Sequence, residues 1–287
     1  MFALVGMENL LKLVGAVLSC LLLTGASWGA GPKPEIRTIP LTRAVRIPVI
    51  TLNAQGSAGP TGQVDRALSV TPGAPDELPE GPDGFDVLND GSFLITDPLR
   101  DRLAVYDSRG SFIREWKLGF AADSVTVTPG GLVLIREATT GETRAFDREG
   151  QPVSMEPPAV APQPAQARLL TANSGEIFLP AVKGGHGGPL EVRLDRLGFR
   201  LLSLEALSTD AEGNTYVALE ATAGGETVDV NKYVRRYNAQ GALIGEIADM
   251  KVDYYIRPVD ELRVRRGVVY QLMTTPSAIL INEWDTN

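Results

Sequence analysis

Leu103-Ala104-Val105-Tyr106-Asp107-Ser108-Arg109-Gly110-Ser111-Phe112 is a short apolar strand, a polar turn ending in glycine, and the start of another strand. The pattern apolar-Asp/Asn-x-x-Gly returns at 146–150, 194–198 and 237–241, its glycines 40, 48 and 43 residues apart. Asp or Asn hydrogen-bonds the backbone of its own turn, and Gly supplies the positive φ that the reversal needs. A self-similar period of this size is the signature of a repeat architecture.

A whole repeat is legible from Phe85: strands at 85–88, 93–96, 103–106 and 112–116, named A to D, separated by turns at 89–91 and 107–110. The order returns from 124, from 169 and from 206, and a last copy runs from Glu261 through 268–272 to 278–284 and lacks an outer strand. Near the amino terminus, 45–52 is a strand with no inner partners, and it ends in Asn53-Ala54-Gln55-Gly56, the tetrapeptide that recurs at 238–241. Pairing this strand with the last copy would close a ring and remove its exposed sheet edges. No helical period follows residue 30. The expectation is an all-β fold, a β-propeller of five recognisable four-stranded repeats, with five or six blades and a ring closed by the N-terminal strand. Residues 31–84 are read as the closing strand with a Pro/Gly-rich lead-in, and 85–287 as the propeller.

The unit 85–97 followed by 102–110 resembles NHL-type β-propeller repeats, and the resemblance covers about residues 85–284. It implies a fold and leaves the ligand open.

Composition narrows the chemistry. The chain has 287 residues, 44% of them apolar, enough for a sizeable core. Its formal charge of −8 argues against a phosphate-binding surface, so no nucleic-acid partner is expected. Basic runs at 263–266 and 235–236 read as alternating strand residues facing solvent. The one cysteine, Cys20, lies in the apolar amino terminus, which leaves the folded part without a thiol for disulfides, nucleophilic catalysis or thiolate metal sites. A single histidine, His186, makes histidine triads and multi-histidine zinc centres hard to build.

Residues 1–30 read as an address: an apolar run over 13–26 and a small-residue exit at 27–30. Three readings stand, a cleaved secretory signal, an uncleaved anchor, and lipidation at Cys20, where Val17-Leu18-Ser19-Cys20 resembles a bacterial lipobox. All three put the folded part outside the cytoplasm, secreted or in the cell envelope, with membrane contact only through this segment.

Turns A-to-B and C-to-D are short in every unit, whereas B-to-C and D-to-A connections vary in length, as in 180–189, 220–231, 155–166 and 249–258. Both variable kinds lie at one end of the strands, so one loop face is free to carry function. Its binding candidates are Tyr254, Tyr255 and Arg257, an aromatic and guanidinium patch, together with Lys183 and His186 on a glycine loop. Ahead of the inner strands stand Asp83, Asp123, Arg168, Glu205 and Asp260. The four carboxylates could ring the channel mouth and hold calcium, although no Asp-x-Asp-x-Asp-Gly loop is present. Phosphate-loop and Gly-x-Ser-x-Gly signatures are missing as well.

The expected role is non-catalytic: a monomeric binding or scaffold module, without cofactor, for a protein, peptide or cell-envelope polymer. The alternative is an enzyme resembling the calcium-dependent lactonases and lyases built on six-bladed propellers, working through the channel-mouth carboxylates.

Overall fold

Among the described residues twenty strands form, in an order that the turn chemistry dictates. The computed structural model describes residues 36–52, 66–73, 76–154, 176–179, 190–193, 200–222 and 229–287. The strands are β1 (Arg37–Thr38), β2 (Arg43–Thr51), β3 (Leu68–Val70), β4 (Phe85–Val87), β5 (Phe93–Asp97), β6 (Arg102–Tyr106), β7 (Phe112–Lys117), β8 (Ala122–Val127), β9 (Val133–Glu137), β10 (Thr143–Phe146), β11 (Pro152–Val153), β12 (Glu176–Leu179), β13 (Leu190–Arg193), β14 (Arg200–Thr209), β15 (Thr215–Thr222), β16 (Val230–Tyr237), β17 (Leu243–Met250), β18 (Leu262–Arg265), β19 (Val268–Thr275) and β20 (Ala278–Asp285).

They pair as successive antiparallel meanders: β4-β5-β6-β7, β8-β9-β10-β11, β12-β13, β14-β15-β16-β17 and β18-β19-β20. The amino-terminal strand β2 is the fourth strand of the last sheet, antiparallel to β20 with Arg43 opposite Glu283 and Ile47 opposite Ile279. Two short parallel additions widen the sheets, β3 beside β2 and β1 beside β17.

The turns behave as their residues require. Asp107 Oδ1 accepts from the N–H groups of Arg109 and Ser111, Asp147 from Glu149 and Gln151, and Asn238 from Gln240 and Ala242. Gly110, Gly150 and Gly241 close these turns with φ of 82°, 85° and 78°. The repeat turn at 194–198 lies outside the described residues.

Apolar burial joins neighbouring sheets face to face. One cluster packs Phe85, Phe93 and Tyr106 of the first sheet on Ile47, Leu272 and Ile281 of the last. Another joins the first and second sheets through Leu94, Trp116, Val125 and Ile135. A third joins the fourth and last through Tyr216, Val234, Leu262 and Trp284, and a fourth runs from Val192 to Leu204, Leu219 and Tyr233. Sequential four-stranded meanders stacked in this way, each innermost strand beside the next, are a β-propeller: β18 lies beside both β14 and β4, and β4 beside β8.

Charge also holds the inner strands, and here the basic runs differ from the sequence reading. Arg263 and Arg265 alternate with buried Leu262 and Val264 but are only partly exposed, each held by groups of neighbouring sheets. The Arg265 guanidinium donates to the fully buried Asp86 on β4 and, at 3.0 Å, to the carbonyl of Val127 on β8. Asp86 also accepts from the backbone N–H groups of Val87 and Val127 at 2.7 and 2.6 Å. Arg263 pairs with Asp260 at 2.6 Å and donates to the Val125 carbonyl. Arg235 is engaged by Glu246, and Arg236 by Asp210 and the Thr286 carbonyl. On β18 the alternation sets buried Leu262 and Val264 against Arg263 and Arg265, whose guanidinium groups are tied to neighbouring sheets. Of these residues, Arg266 is the exposed one.

Gly110 sits where the first sheet meets β2: a Cβ there would lie 2.8 Å from the Arg46 carbonyl and 2.9 Å from Val45 Cγ1. Gly141 has a similar φ of 72° and open space around it. Gly110→Ala should therefore destabilise the protein by clearly more than Gly141→Ala, whose loss is the left-handed strain alone, about 1–2 kcal/mol. Equal shifts in thermal melting would show that β2 does not bear on this turn.

Candidate functional site

The fourth sheet builds the site because its strands are long. The 220–231 stretch expected as a B-to-C connection is shorter in the structure, since Glu220–Thr222 continue β15 and Val230 and Asn231 open β16. The physical reason lies in the register: Glu220 stands directly opposite Lys232, an oppositely charged cross-strand pair, and Ala221 and Thr222 beside it are buried.

Lys232 is the centre of the charge. Its side chain is only 2% exposed, and its Nζ donates to Glu220 at 2.9 Å and to Glu261. Two carboxylates and the face of the Tyr254 ring, 5.7 Å away, replace the water that a buried ammonium loses. Arg257 reaches the same Glu220 at 2.8 Å but is 64% exposed, lying at the rim. The Tyr254 hydroxyl accepts from the Gln271 amide at 2.8 Å. Burial and the Glu261 carboxylate push this phenol far above its ordinary range.

Around the cluster opens a cavity of about 220 Å³ between β14–β16 and the 257–263 segment. Polar groups line it, Glu205, Glu220, Lys232, Asp260, Glu261 and Arg263 among them, with Leu207, Ala218 and Val259 as apolar wall. Its lining takes Glu220 from the end of β15, Lys232 from the start of β16 and residues 257–261 ahead of β18. Thus Arg257, Glu205 and Asp260 of the sequence-derived candidates are brought together, with Tyr254 beside them. Tyr255 is half-buried nearby, its N–H held by the Thr274 carbonyl. Lys183, His186, Arg168 and Cys20 lie outside the described residues.

Sequence reasoning missed Lys232, Glu220, Glu261 and Arg263. The usable signal was the β15–β16 hairpin, since counting back from its loop sets Glu220 against Lys232.

The remaining carboxylates stand by the inner strands. Asp83 and Asp260 precede β4 and β18, where the Asp260 N–H donates to the Asp83 carbonyl at 3.0 Å. Asp123 and Glu205 instead fall within β8 and β14. Asp123 coincides with a register shift between Ala122 and Ser124, a bulge that re-aims its side chain toward the Arg136 guanidinium at 2.8 Å. Asp260 is held by Arg263 and by the Ser124 hydroxyl. Asp83 and Glu205 have neither a side-chain hydrogen bond nor an ion pair among the described residues. Glu205 is exposed, and crowding by the neighbouring protein atoms raises it above the usual carboxylate range while the Arg263 charge opposes that rise. As a calcium site the set fits poorly: among the described residues no three Asp, Glu, His or Cys converge to hold a metal ion. Two of the four carboxylates are bound to guanidinium groups.

Burial pushes Asp83 up to about 6, helped by the neighbouring Asp123 and Glu80 carboxylates. The folded protein then binds this proton more tightly than the unfolded chain, so the Asp83 contribution to stability falls as pH rises from about 4 through about 6. Asp83→Asn should match the wild type in thermal melting near about pH 4 and exceed it near about pH 7. An unchanged difference across that range would sink the assignment.

No protein-family model and no curated protein matches the chain. Solved structures do. The chain is similar to a streptogramin B lyase at 10% identity, covering 84% of this chain and 97% of that one with a TM-score of 0.34. A gluconolactonase from Xanthomonas campestris follows at 14%, with 85% and 98% covered and a TM-score of 0.33. BamB from Moraxella catarrhalis stands at 12%, with 86% and 97% covered and a TM-score of 0.31. Likeness this distant bears on neither ligand nor reaction.

Proposed function

We propose that the chain is an extracytoplasmic, monomeric propeller of NHL-type repeats, its ring closed by β2. It holds a protein, peptide or cell-envelope polymer on the B-to-C and D-to-A loop face, without chemistry. The observation that carries this reading is the cavity on that face: its bases are already matched by carboxylates, while Arg257 and the 56% exposed Val259 stand at its rim as a charged and an apolar contact. Paired charges give orientation and selectivity to a binding surface rather than a reactive group. Signal cleavage, anchoring or lipidation at Cys20 would supply the compartment. Among the described residues no helix is long and apolar enough to cross a membrane.

Retention of the purified protein on insoluble cell-wall polymer and on an array of synthetic peptides tests the reading. Arg257→Glu combined with Val259→Asp should abolish whatever retention the wild type shows, with the melting temperature little changed. Full retention by this variant would remove the loop face from the function.

A second reading has one observation in its favour, the unpartnered Asp83 carboxylate next to Asp123. A calcium-dependent lactonase or lyase would use Asp83, Asp123, Glu205 and Asp260, and Arg136 and Arg263 would have to release two of them. Calcium should then raise the melting temperature by several degrees, and Asp83→Ala with Asp260→Ala should cancel that rise. No response to calcium leaves the hydrolase reading without support.

A further inference from the structure

Charge around the cavity does not balance. Glu205, Glu220, Asp260 and Glu261 line it against Lys232, Arg257 and Arg263, which leaves one negative charge over. The pairing shows where that charge sits. Lys232 is shared by Glu220 and Glu261, Arg257 by Glu220, and Arg263 binds Asp260. Glu205 is the lining carboxylate left without a hydrogen bond or ion pair among the described residues. An anionic ligand finds every base here already engaged. A metal ion finds no converging set of ligands among the described residues. An organic cation meets one free carboxylate.

The walls add the second half of the chemistry. Leu207, Ala218, Pro258 and Val259 give the cavity an apolar side along which an alkyl stem can lie with its head at the carboxylate. A volume of about 220 Å³ is below the roughly 300–1,000 Å³ of sites for drug-sized molecules, and suits one side chain or a short amine.

We propose that this cavity is an alkylammonium subsite, with Glu205 as counter-ion and the Leu207–Ala218–Val259 wall as stem contact. It takes the lysine side chain of a bound peptide or a free short amine. The proposal rests on the binding-face reading and names the chemistry of its ligand.

Titration calorimetry with n-pentylamine, with a short acetylated lysine peptide and with pentanoate as the charge-reversed control tests it. The wild type should bind the amine and the lysine peptide with dissociation constants near the millimolar range, and pentanoate detectably more weakly. Glu205→Gln, which keeps size and polarity, should weaken the amine by about tenfold or more with an unchanged melting temperature. Tighter binding of the peptide than of pentylamine identifies a protein ligand as the source, and the reverse identifies a small amine; both support the subsite. Equal binding of the amine by wild type and Glu205→Gln overturns it, as does the lack of any heat from either amine probe. Binding of pentanoate alone, lost in Arg257→Ala, overturns the ammonium class while leaving the binding face intact. Loss of polymer or peptide retention in Arg257→Glu/Val259→Asp, with Glu205→Gln fully retained, separates the two in the same way.

Discussion

The Asp86 carboxylate, fully buried on β4, is the constraint on which the packing of three neighbouring sheets depends. Its two oxygens accept from the Arg265 guanidinium on β18 and from two backbone N–H groups, one on β4 and one on β8. Three sheets meet at one charge. An isolated carboxylate in that place would cost several kcal/mol in lost hydration, and only its hydrogen bonds offset the penalty. Hydrophobic clusters fix how the sheets face one another, but they are non-directional, and many slightly rotated packings would satisfy them. Asp86 and Arg265 select one. Farther out, Arg102 does the same between the first sheet and the β3 segment, donating to Asp97 at 2.8 Å and to the Ala67 carbonyl at 2.5 Å.

This lacing explains why the loop face carries the polar cavity. Arg263, two residues before Arg265 on the same side of β18, is placed by the same alternation and reaches the Val125 carbonyl on β8. It also pairs with Asp260, which lines the cavity with the 257–261 segment and residues of β14, β15 and β16. The cavity walls are thus a by-product of how the inner strands are tied, with Glu205 left over as the charge that the ties did not use.

Much of the fold was legible in the residues, and the reason is local. Asp107, Asp147 and Asn238 act within their own turns, so their spacing reveals the repeat without knowledge of the rest. The pairing of β2 with β20 follows from one unpartnered strand at each end. Basic runs misled because alternation indicates two faces and not what covers them: on β18 the polar face carries Arg263 and Arg265 to carbonyls of β8 and to Asp86 of β4. Lys232 escaped for a related reason. A lysine in a strand looks solvated until the hairpin register sets Glu220 against it and a distant segment supplies Glu261. The free state of Glu205 is visible only once every neighbouring base has been assigned.

The placement of β2 has a consequence for biosynthesis. Its partner lies some 240 positions later in the chain, so β2 emerges early and waits until the last strand has been made. A waiting strand of Val45, Ile47, Val49 and Ile50 is a template for wrong pairing. Its sequence is interrupted by Arg43, Arg46 and Pro48, residues that discourage edge-to-edge addition. In the finished protein Arg43 becomes the partner of Glu283, its Nη2 2.6 Å from Oε1. The same charge that guards the nascent chain from its neighbours then locks it into the sheet.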